Sequence, residues 1–157
     1  MGSEQFPHYM RSGQSMLRCG YTTGTCAALA AAGAARLLLT GSAPEAVSLT
    51  TPKGIEVSVP LAEAELLERG AWVRCAVQKD AGDDYDITNG MLVRAAVKKS
   101  VVPGIHIDGG EGVGRVTKPG LDQPVGAAAI NRVPRRMIEA QVLEVCDELG
   151  YDGGMEV

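Results

Sequence analysis

The sequence predicts an α+β domain: a layered sandwich of a mixed or antiparallel sheet with two main helices. Two segments have the composition or the periodicity of helices, and five to seven short segments alternate between apolar and polar residues as half-buried strands do. These segments do not follow one another as regular strand–helix–strand units, which argues against a doubly wound sheet. The chain of 157 residues has the length of one such domain.

The beginning of the chain lacks a structural pattern. Residues 1–14 are polar and without periodicity, and we interpret them as a flexible leader. Residues 15–19 are expected to form a short strand or lead-in. The first helix is expected between Gly20 and Gly41, because its run of alanine and leucine favours helix, Thr25 is a candidate N-cap, and glycine suits a helix end.

Alternating segments in the middle of the chain predict the strands. Residues 47–51 and 55–59 alternate on either side of the turn Pro52-Lys53-Gly54, which is typical of a hairpin. Residues 61–69 are acidic and only partly apolar, and they are interpreted as an irregular turn. Further strands are expected at residues 72–77, 91–98, 105–107 and 113–117.

A second helix is predicted at residues 134–149. Pro134 suits the first helical turn. Ile138, Val142, Val145 and Leu149 recur at helical spacing, which predicts one buried face. Gly150 is expected to end the helix. Residues 155–157 have the pattern of a strand that begins there, which predicts that the chain is incomplete.

Composition excludes several classes of protein. The net charge of −4 argues against a nucleic-acid-binding domain. The longest apolar run, residues 27–39, contains Arg36 and predicts no membrane span, and the start lacks the apolar core of a signal peptide. The expected location is therefore cytoplasmic. The four cysteines form no CxxC pair and the chain has only two histidines, which predicts free thiols and no metal site. A homo-oligomer is left open.

The stretch from Asp108 to Ile138 combines glycine with cations. Glycine lets backbone N–H groups approach a ligand closely, and arginine matches the geometry of carboxylate and phosphate. We count five cations in it against Glu111 and Asp122. The spacing fits neither of the common phosphate-binding motifs. The residues expected to bind a small anionic substrate are Gly110, Gly112, Gly114, Arg115, Lys118, Arg135 and Arg136. The alternative is tight turns beside a solvated face.

Two further segments are candidate sites. Thr22, Thr23 and Thr25 stand at the start of the first helix, where free N–H groups attract anions, and plain N-capping is the alternative. Cys26 at the same helix end is either a nucleophile or, as we favour, a buried thiol.

The loop at residues 79–90 is rich in aspartate. Asp80, Asp83 and Asp84 are the candidate catalytic residues, as proton acceptors or as ligands of a hard cation. A solvated loop is the alternative.

Four blocks in this order, GYTTGTCAALAA, KDAGDDYDITNG, DGGEGVGRVTKPGL and AINRVPRRMI, resemble the amino-terminal half of the CbiD family. These proteins are the cobalt-precorrin-5B (C1)-methyltransferases of oxygen-independent cobalamin biosynthesis. The resemblance covers residues 17–157. It implies that residues 15–157 are an amino-terminal domain, truncated before a carboxyl-terminal domain. Ala127 and Ala128 stand where the family tends to carry Glu-Pro, and Arg132 where it tends to carry Pro, so a contact by a glutamate at position 127 is in doubt.

The resemblance implies a function. S-adenosylmethionine would donate a methyl group to ring carbon C1 of a tetrapyrrole that carries its own cobalt. That ring is fringed by acetate and propionate groups, for which Arg115, Lys118, Arg135 and Arg136 are candidate partners. Two alternatives stay open: a non-catalytic tetrapyrrole-binding fragment, and a phosphate-binding domain like that of small-molecule kinases, indicated by TTGTCAALAA.

Overall fold

The structure is a computed structural model that describes residues 9–12, 15–18, 21–82 and 89–157. The helices of the described part are α1 (Thr23–Thr40) and α2 (Arg132–Leu149), and a 3-10 turn spans Glu68–Gly70. The strands, in chain order, are β1 (Tyr9–Ser12), β2 (Ser15–Arg18), β3 (Ala46–Thr50), β4 (Glu56–Pro60), β5 (Glu63–Leu67), β6 (Trp72–Gln78), β7 (Leu92–Ser100), β8 (Ile105–His106) and β9 (Gly154–Glu156).

The main sheet has five strands in the order β5-β6-β7-β9-β8. All neighbours are antiparallel except β8 and β9, which are parallel and connected through α2. Two separate hairpins, β1-β2 and β3-β4, complete the described strands. The expected α+β sandwich with a mixed sheet is confirmed.

Helix α1 lies at the centre of the molecule. It packs against the main sheet, α2 and β3, and the residues from Ala28 to Ala35 are all buried. Its alanines and Gly33 make this packing feasible: a Cβ at position 33 would lie only 2.9 Å from Cδ2 of Leu61. Small side chains let three neighbouring elements approach one helix at once.

The two helices run parallel, side by side. At their amino-terminal ends, a Cβ on Gly24 would lie 3.1 Å from Cβ of Pro134. At the other end Arg36 of α1 forms a salt bridge with Glu148 of α2, with 2.5 Å between Nη2 and Oε2. Both helices therefore begin at the same edge of the sheet.

Several predicted elements are confirmed. The hairpin pairs Val47 with Val59 and Leu49 with Val57. The strand expected at residues 91–98 is β7, which spans Leu92–Ser100. Gly41 and Gly150 end the helices in the left-handed conformation, with φ of 77° and 70°. This conformation suits glycine because it has no Cβ.

Other predicted elements are wrong. The N-cap of α1 is Thr22 and not Thr25. The Thr22 hydroxyl accepts a hydrogen bond from the backbone N–H of Thr25 over 3.1 Å. Residues 61–69 contain β5, because the acidic side chains on its outer face pair with arginines across the sheet. Glu63 pairs with Arg94, and Glu65 with Arg74.

Two more differences concern the loops. Residues 113–117 form a single bridge, Arg115 to Ala128, instead of a strand, because glycine and proline interrupt the chain on both sides. Tyr9–Ser12 pairs with Ser15–Arg18 within a segment that shows no periodicity in the sequence.

Helix α1 is the one helix of the described residues that has the length and apolar composition to cross a membrane. The burial of Ala28–Ala35 in the core gives that composition a different explanation. A central helix of a folded domain has to be apolar on most of its surface.

Gly154 in β9 has no space for a side chain, because a Cβ there would lie 1.6 Å from the carbonyl oxygen of Val102. We expect Gly154→Ala to displace β9 and to lower the free energy of unfolding by about 3 kcal/mol or more. Gly110→Ala is the matched control, since a Cβ at Gly110 meets no atom within 4 Å. Denaturant unfolding of the two variants checks the difference, and equal stabilities would contradict it.

Candidate functional site

Several of the predicted site residues lie at one edge of the main sheet, the edge at which three of its strands end. Strands β6, β8 and β9 run in one direction, so their carboxyl ends lie at this edge. Both helices also begin here, since Gly24 meets Pro134. A connection of 25 residues, 107–131, joins β8 to α2. Long connections at the carboxyl ends of parallel strands are frequent places for ligand sites.

The start of α1 is held by threonine. The Thr22 hydroxyl accepts from the backbone N–H of Thr25 and lies 3.1 Å from the Thr25 hydroxyl. Thr25 is buried, while Thr22 and Thr23 are exposed. Within the described residues the backbone N–H groups of Thr23 and Gly24 have no acceptor, so they are available to an anion at the positive end of the helix.

The acidic loop begins beside this helix end. Tyr21 donates its backbone N–H to the carbonyl of Asp80 over 2.9 Å, and the Asp80 carboxylate accepts from the N–H of Gly82 over 2.8 Å. Asp80 therefore lies near the start of α1. Asp83 and Asp84 lie outside the described residues.

Cys26 is a buried thiol. Its side chain has no solvent exposure, and burial raises the pKa of the thiol to about 12, against a smaller opposing effect of the Lys79 cation. Burial also raises the pKa of Cys75 to about 11. These thiols stay protonated near neutral pH, so the structure favours the buried interpretation of Cys26 over the nucleophile.

The glycine-rich segment folds back on itself. Val116 donates its N–H to the carbonyl of Ala127, and Ala129 donates to the carbonyl of Gly114, over 2.9 and 2.8 Å. Gly112 adopts a φ of 83°, which glycine tolerates. Gly110 and Gly114 are exposed, so the backbone on this side of the segment is open to a ligand.

Arg135 fastens this segment to α2. Its guanidinium donates to the carbonyl oxygens of Ile130, Ala128 and Ile107 over 2.7, 3.0 and 3.5 Å. Its donors are directed at the protein backbone, so Arg135 positions the glycine-rich segment. The prediction that it binds a substrate carboxylate is not supported by these contacts.

Arg115 is also engaged within the segment. It forms a bidentate ion pair with Asp108, with 2.5 Å from Nη1 to Oδ1 and 3.2 Å from Nη2 to Oδ2. The Arg115 guanidinium lowers the pKa of the Asp108 carboxyl, and the N–H of Gly109 adds to this effect. The charge count made from the sequence omitted Asp108, which compensates one of the five cations.

Asp122 occupies the start of α2. Its carboxylate accepts from the backbone N–H of Arg132 over 2.7 Å, while Asn131, at the N-cap position, makes no capping hydrogen bond with its side chain. A hydrogen bond from Gln123, followed by the N–H and charge of Arg132, lowers the pKa of Asp122. The positive end of α2 is therefore neutralised by the chain itself.

Two predicted cations remain available. Lys118 and Arg136 are exposed, and neither forms a hydrogen bond or an ion pair with any residue in the described ranges. Arg136 lies in the second turn of α2. Lys118 lies in the loop that the hydrogen bond from Gly126 to the carbonyl of Val116 closes. They are the candidates for contact with an external carboxylate.

The predicted cations divide into two groups. Arg115 and Arg135 bond to other parts of the chain, whereas Lys118 and Arg136 have no partner within the described residues. The threonine block and the RVPRR block meet through Gly24 and Pro134, a contact that sequence reasoning missed because neither residue carries chemistry. A separate hollow of about 170 Å³, which includes Arg36, Gln141 and Glu148, lies toward the opposite ends of the helices and is far smaller than a macrocycle.

The ion pair of Asp108 with Arg115 gives a pH prediction. Because the pKa of Asp108 is lower in the folded chain than in the unfolded chain, the pair stabilises the fold above about pH 4. That contribution is lost as the pH falls through the folded pKa. We expect Asp108→Asn to lower the melting temperature above about pH 4, and this difference to diminish as the pH falls below that value.

Thermal unfolding of the parent and the variant across this range measures the effect. Asp152→Asn is the control, since Asp152 is exposed and has no ion pair within the described residues. A melting-temperature difference that is the same at every pH would contradict the prediction.

Comparison with known proteins identifies the same family as the four sequence blocks do. The CbiD family model matches residues 10–157. Two relatives are similar to this chain over 141 residues, or 90% of its length. They are the cobalt-precorrin-5B C(1)-methyltransferases of Pseudomonas paraeruginosa, which is 48% identical, and of Geobacillus kaustophilus, which is 49% identical. The chain spans only 38% and 37% of the lengths of these relatives.

A solved structure is also similar. The crystal structure of the cobalamin biosynthesis protein CbiD from Archaeoglobus fulgidus aligns with a TM-score of 0.63 and 32% sequence identity, covering 94% of this chain and 45% of that one. The family match over most of the sequence and the similarity in fold lead to the same conclusion: this chain belongs to the CbiD family.

Proposed function

We propose that this chain forms part of an S-adenosylmethionine-dependent methyltransferase that acts on carbon C1 of cobalt-precorrin-5B in cobalamin biosynthesis. The observation that carries the proposal is the meeting of separate blocks of the sequence at one edge of the sheet, where α1 and α2 begin. The names of the relatives supply the substrate and the reaction. We also propose a cytoplasmic location for this chain.

The proposal extends to the organisation of the protein. Residues 15–157 would form the amino-terminal domain, followed in longer members by a carboxyl-terminal domain. The relatives support this division by their length, since the chain spans 38% of the one from Pseudomonas paraeruginosa. A site at the edge of this domain would then be completed by the second domain.

Carboxylates on the rim of the ring are the groups that this edge is suited to bind. Lys118 and Arg136 supply cations that no described residue neutralises, and the N–H groups at the start of α1 supply neutral donors. Arg115 and Arg135 act indirectly, because their guanidinium groups hold the glycine-rich segment in place. The open backbone at Gly110 allows the flat ring to approach closely.

Methyl transfer requires orientation above all. The ring carbon attacks the methyl group on the sulfonium, and the electron pair of the breaking carbon–sulfur bond stays with the sulfur of the donor. Holding the two reactants in line removes most of the entropic cost. Asp80 near the start of α1 is our candidate to accept or relay a proton. Its charge also suits the sulfonium, while the N–H groups of α1 suit the carboxylate of the donor. Asp83 and Asp84 stay candidates for the same role.

Ligand-induced stabilisation tests the proposal against its two alternatives. We expect cobalt-precorrin-5B, or another corrinoid that carries the same carboxylates, and S-adenosylhomocysteine to raise the melting temperature, because a ligand that binds only the folded state adds about 2.7 kcal/mol at one hundred times its dissociation constant. A kinase-like site would respond to ATP with magnesium instead. Stabilisation by the corrinoid alone would favour a non-catalytic binding domain.

The two free cations give a second prediction. We expect Lys118→Ala and Arg136→Ala each to weaken corrinoid binding about five-fold, which is the value of one exposed charge-assisted contact. Lys53→Ala is the matched control, because Lys53 is an exposed cation in the turn between β3 and β4. Titration calorimetry or absorbance measures the affinities. A loss in the control as large as that in the two variants would contradict the proposed contacts.

A further inference from the structure

The main sheet contains a gap beside β7, where no strand of the described residues pairs with it. On one side β7 pairs with β6 over residues 92–97. On its other side β7 pairs with β9 only over residues 98–100. The first six residues of this central strand therefore have one open edge, although β7 is the longest strand of the described part.

The backbone groups on that edge can be identified. Lys79 donates its N–H to the carbonyl of Met91 over 2.9 Å, which fixes the alternation along β7, because backbone groups of successive strand residues point to opposite sides. The groups of Val93, Ala95 and Val97 thus face β6. Three residues face the gap: Leu92, Arg94 and Ala96.

These three residues present three N–H and three C=O groups to the gap. Within the described ranges none of the six has a hydrogen-bond partner. Unpaired backbone groups in a row are the usual template for an added strand. Because Ser100 and Lys98 pair with β9 on this same side of β7, the missing partner would lie in line with β9.

The segment that follows β8 shows where β9 ends relative to the gap. Val157 donates its N–H to the carbonyl of His106 over 2.8 Å, and Asp108 donates to the carbonyl of Val157 over 2.9 Å. Residue 157 therefore still lies in line with β9, directly before the gap.

We propose that an extended polypeptide strand, continuing the line of β9 beyond Val157 in longer members of the family, fills this gap antiparallel to β7. The inference rests on the proposed carboxyl-terminal domain, and the strand would connect it to this one. With the register of β9 continued, successive residues of the strand would face Ala96, Ala95, Arg94, Val93 and Leu92 in turn.

The side chains around the gap define the pattern of that strand. Ala95 and Val93 face the core that contains α1, so the residues opposite them should be apolar. Arg94 lies on the outer face of the sheet, where it pairs with Glu63, so the residue opposite it should be polar or acidic. A tetrapyrrole carries carboxylates on its rim and cannot satisfy alternating N–H and C=O groups, whereas a polypeptide strand can.

Hydrogen exchange tests the proposal in two chains. One is this chain, and the other is this chain joined at Val157 to the polypeptide that follows the matched region in the Pseudomonas paraeruginosa relative. We expect the amides of Leu92, Arg94 and Ala96 to exchange at least about 100-fold more slowly in the longer chain.

The alternate amides of the same strand, Val93 and Ala95, are internal controls that should be protected in both chains, because they bond to β6. Unchanged exchange at residues 92, 94 and 96 in the longer chain would overturn the proposal. Neither measurement involves methyl transfer or a ligand, so the result is independent of the proposed activity.

A pair of proline variants gives a second readout. Ala96→Pro removes an N–H that is unpaired in this chain, so we expect an unchanged melting temperature here and a lowered one in the longer chain. Ala95→Pro removes an N–H that bonds to β6 and should lower the melting temperature of both. If Ala96→Pro has the same effect on the two chains, the added strand does not pair with β7 and the proposal is wrong.

Discussion

The burial of α1 is the constraint on which the rest of the structure depends. Ala28 to Ala35 are enclosed on several sides by the main sheet, α2 and β3, so their side chains must be small. At Gly33 even one methyl group would press on Leu61. Close packing of this kind leaves α1 little room to shift. It therefore fixes where α1 begins relative to the strands beneath it.

The location of the candidate site follows from this packing. Parallel helices that start together place two positive ends at one edge of the sheet. Asp122 satisfies the start of α2, whereas the first N–H groups of α1 are left unsatisfied within the described residues. Three of the five cations counted in the stretch from Asp108 to Ile138 have partners within the chain: Asp108, Asp122 and backbone carbonyls. The segment is therefore held in shape before any ligand arrives.

The sequence predicts this fold well wherever a local pattern determines the structure. The β3-β4 hairpin and the glycines that end both helices depend on nearby residues, and their positions were predictable. The strand β5 was missed, because its acidic residues are explained only by Arg74 and Arg94 on neighbouring strands. The pairing of Arg115 with Asp108 was missed for a related reason: composition reveals charges but not their partners.

The family resemblance likewise predicted where the site residues lie but not what each of them contacts. It identified the blocks that meet at one edge, and it assigned Arg115 and Arg135 to the same task as Arg136. The contacts divide these residues, because Arg135 donates to three carbonyl oxygens of the chain. Sequence alone cannot separate an arginine that binds a ligand from one that organises the backbone, since both stand in the same motif.

The enclosed cysteines have a practical consequence for following the state of this protein. Cys26, Cys75 and Cys146 all lie in the core, and burial raises the pKa of each thiol. An alkylating reagent reaches such sulfur atoms only when the surrounding elements separate. The rate of labelling at these three positions would therefore report the rate at which the domain opens. Mass spectrometry measures this rate without any added dye.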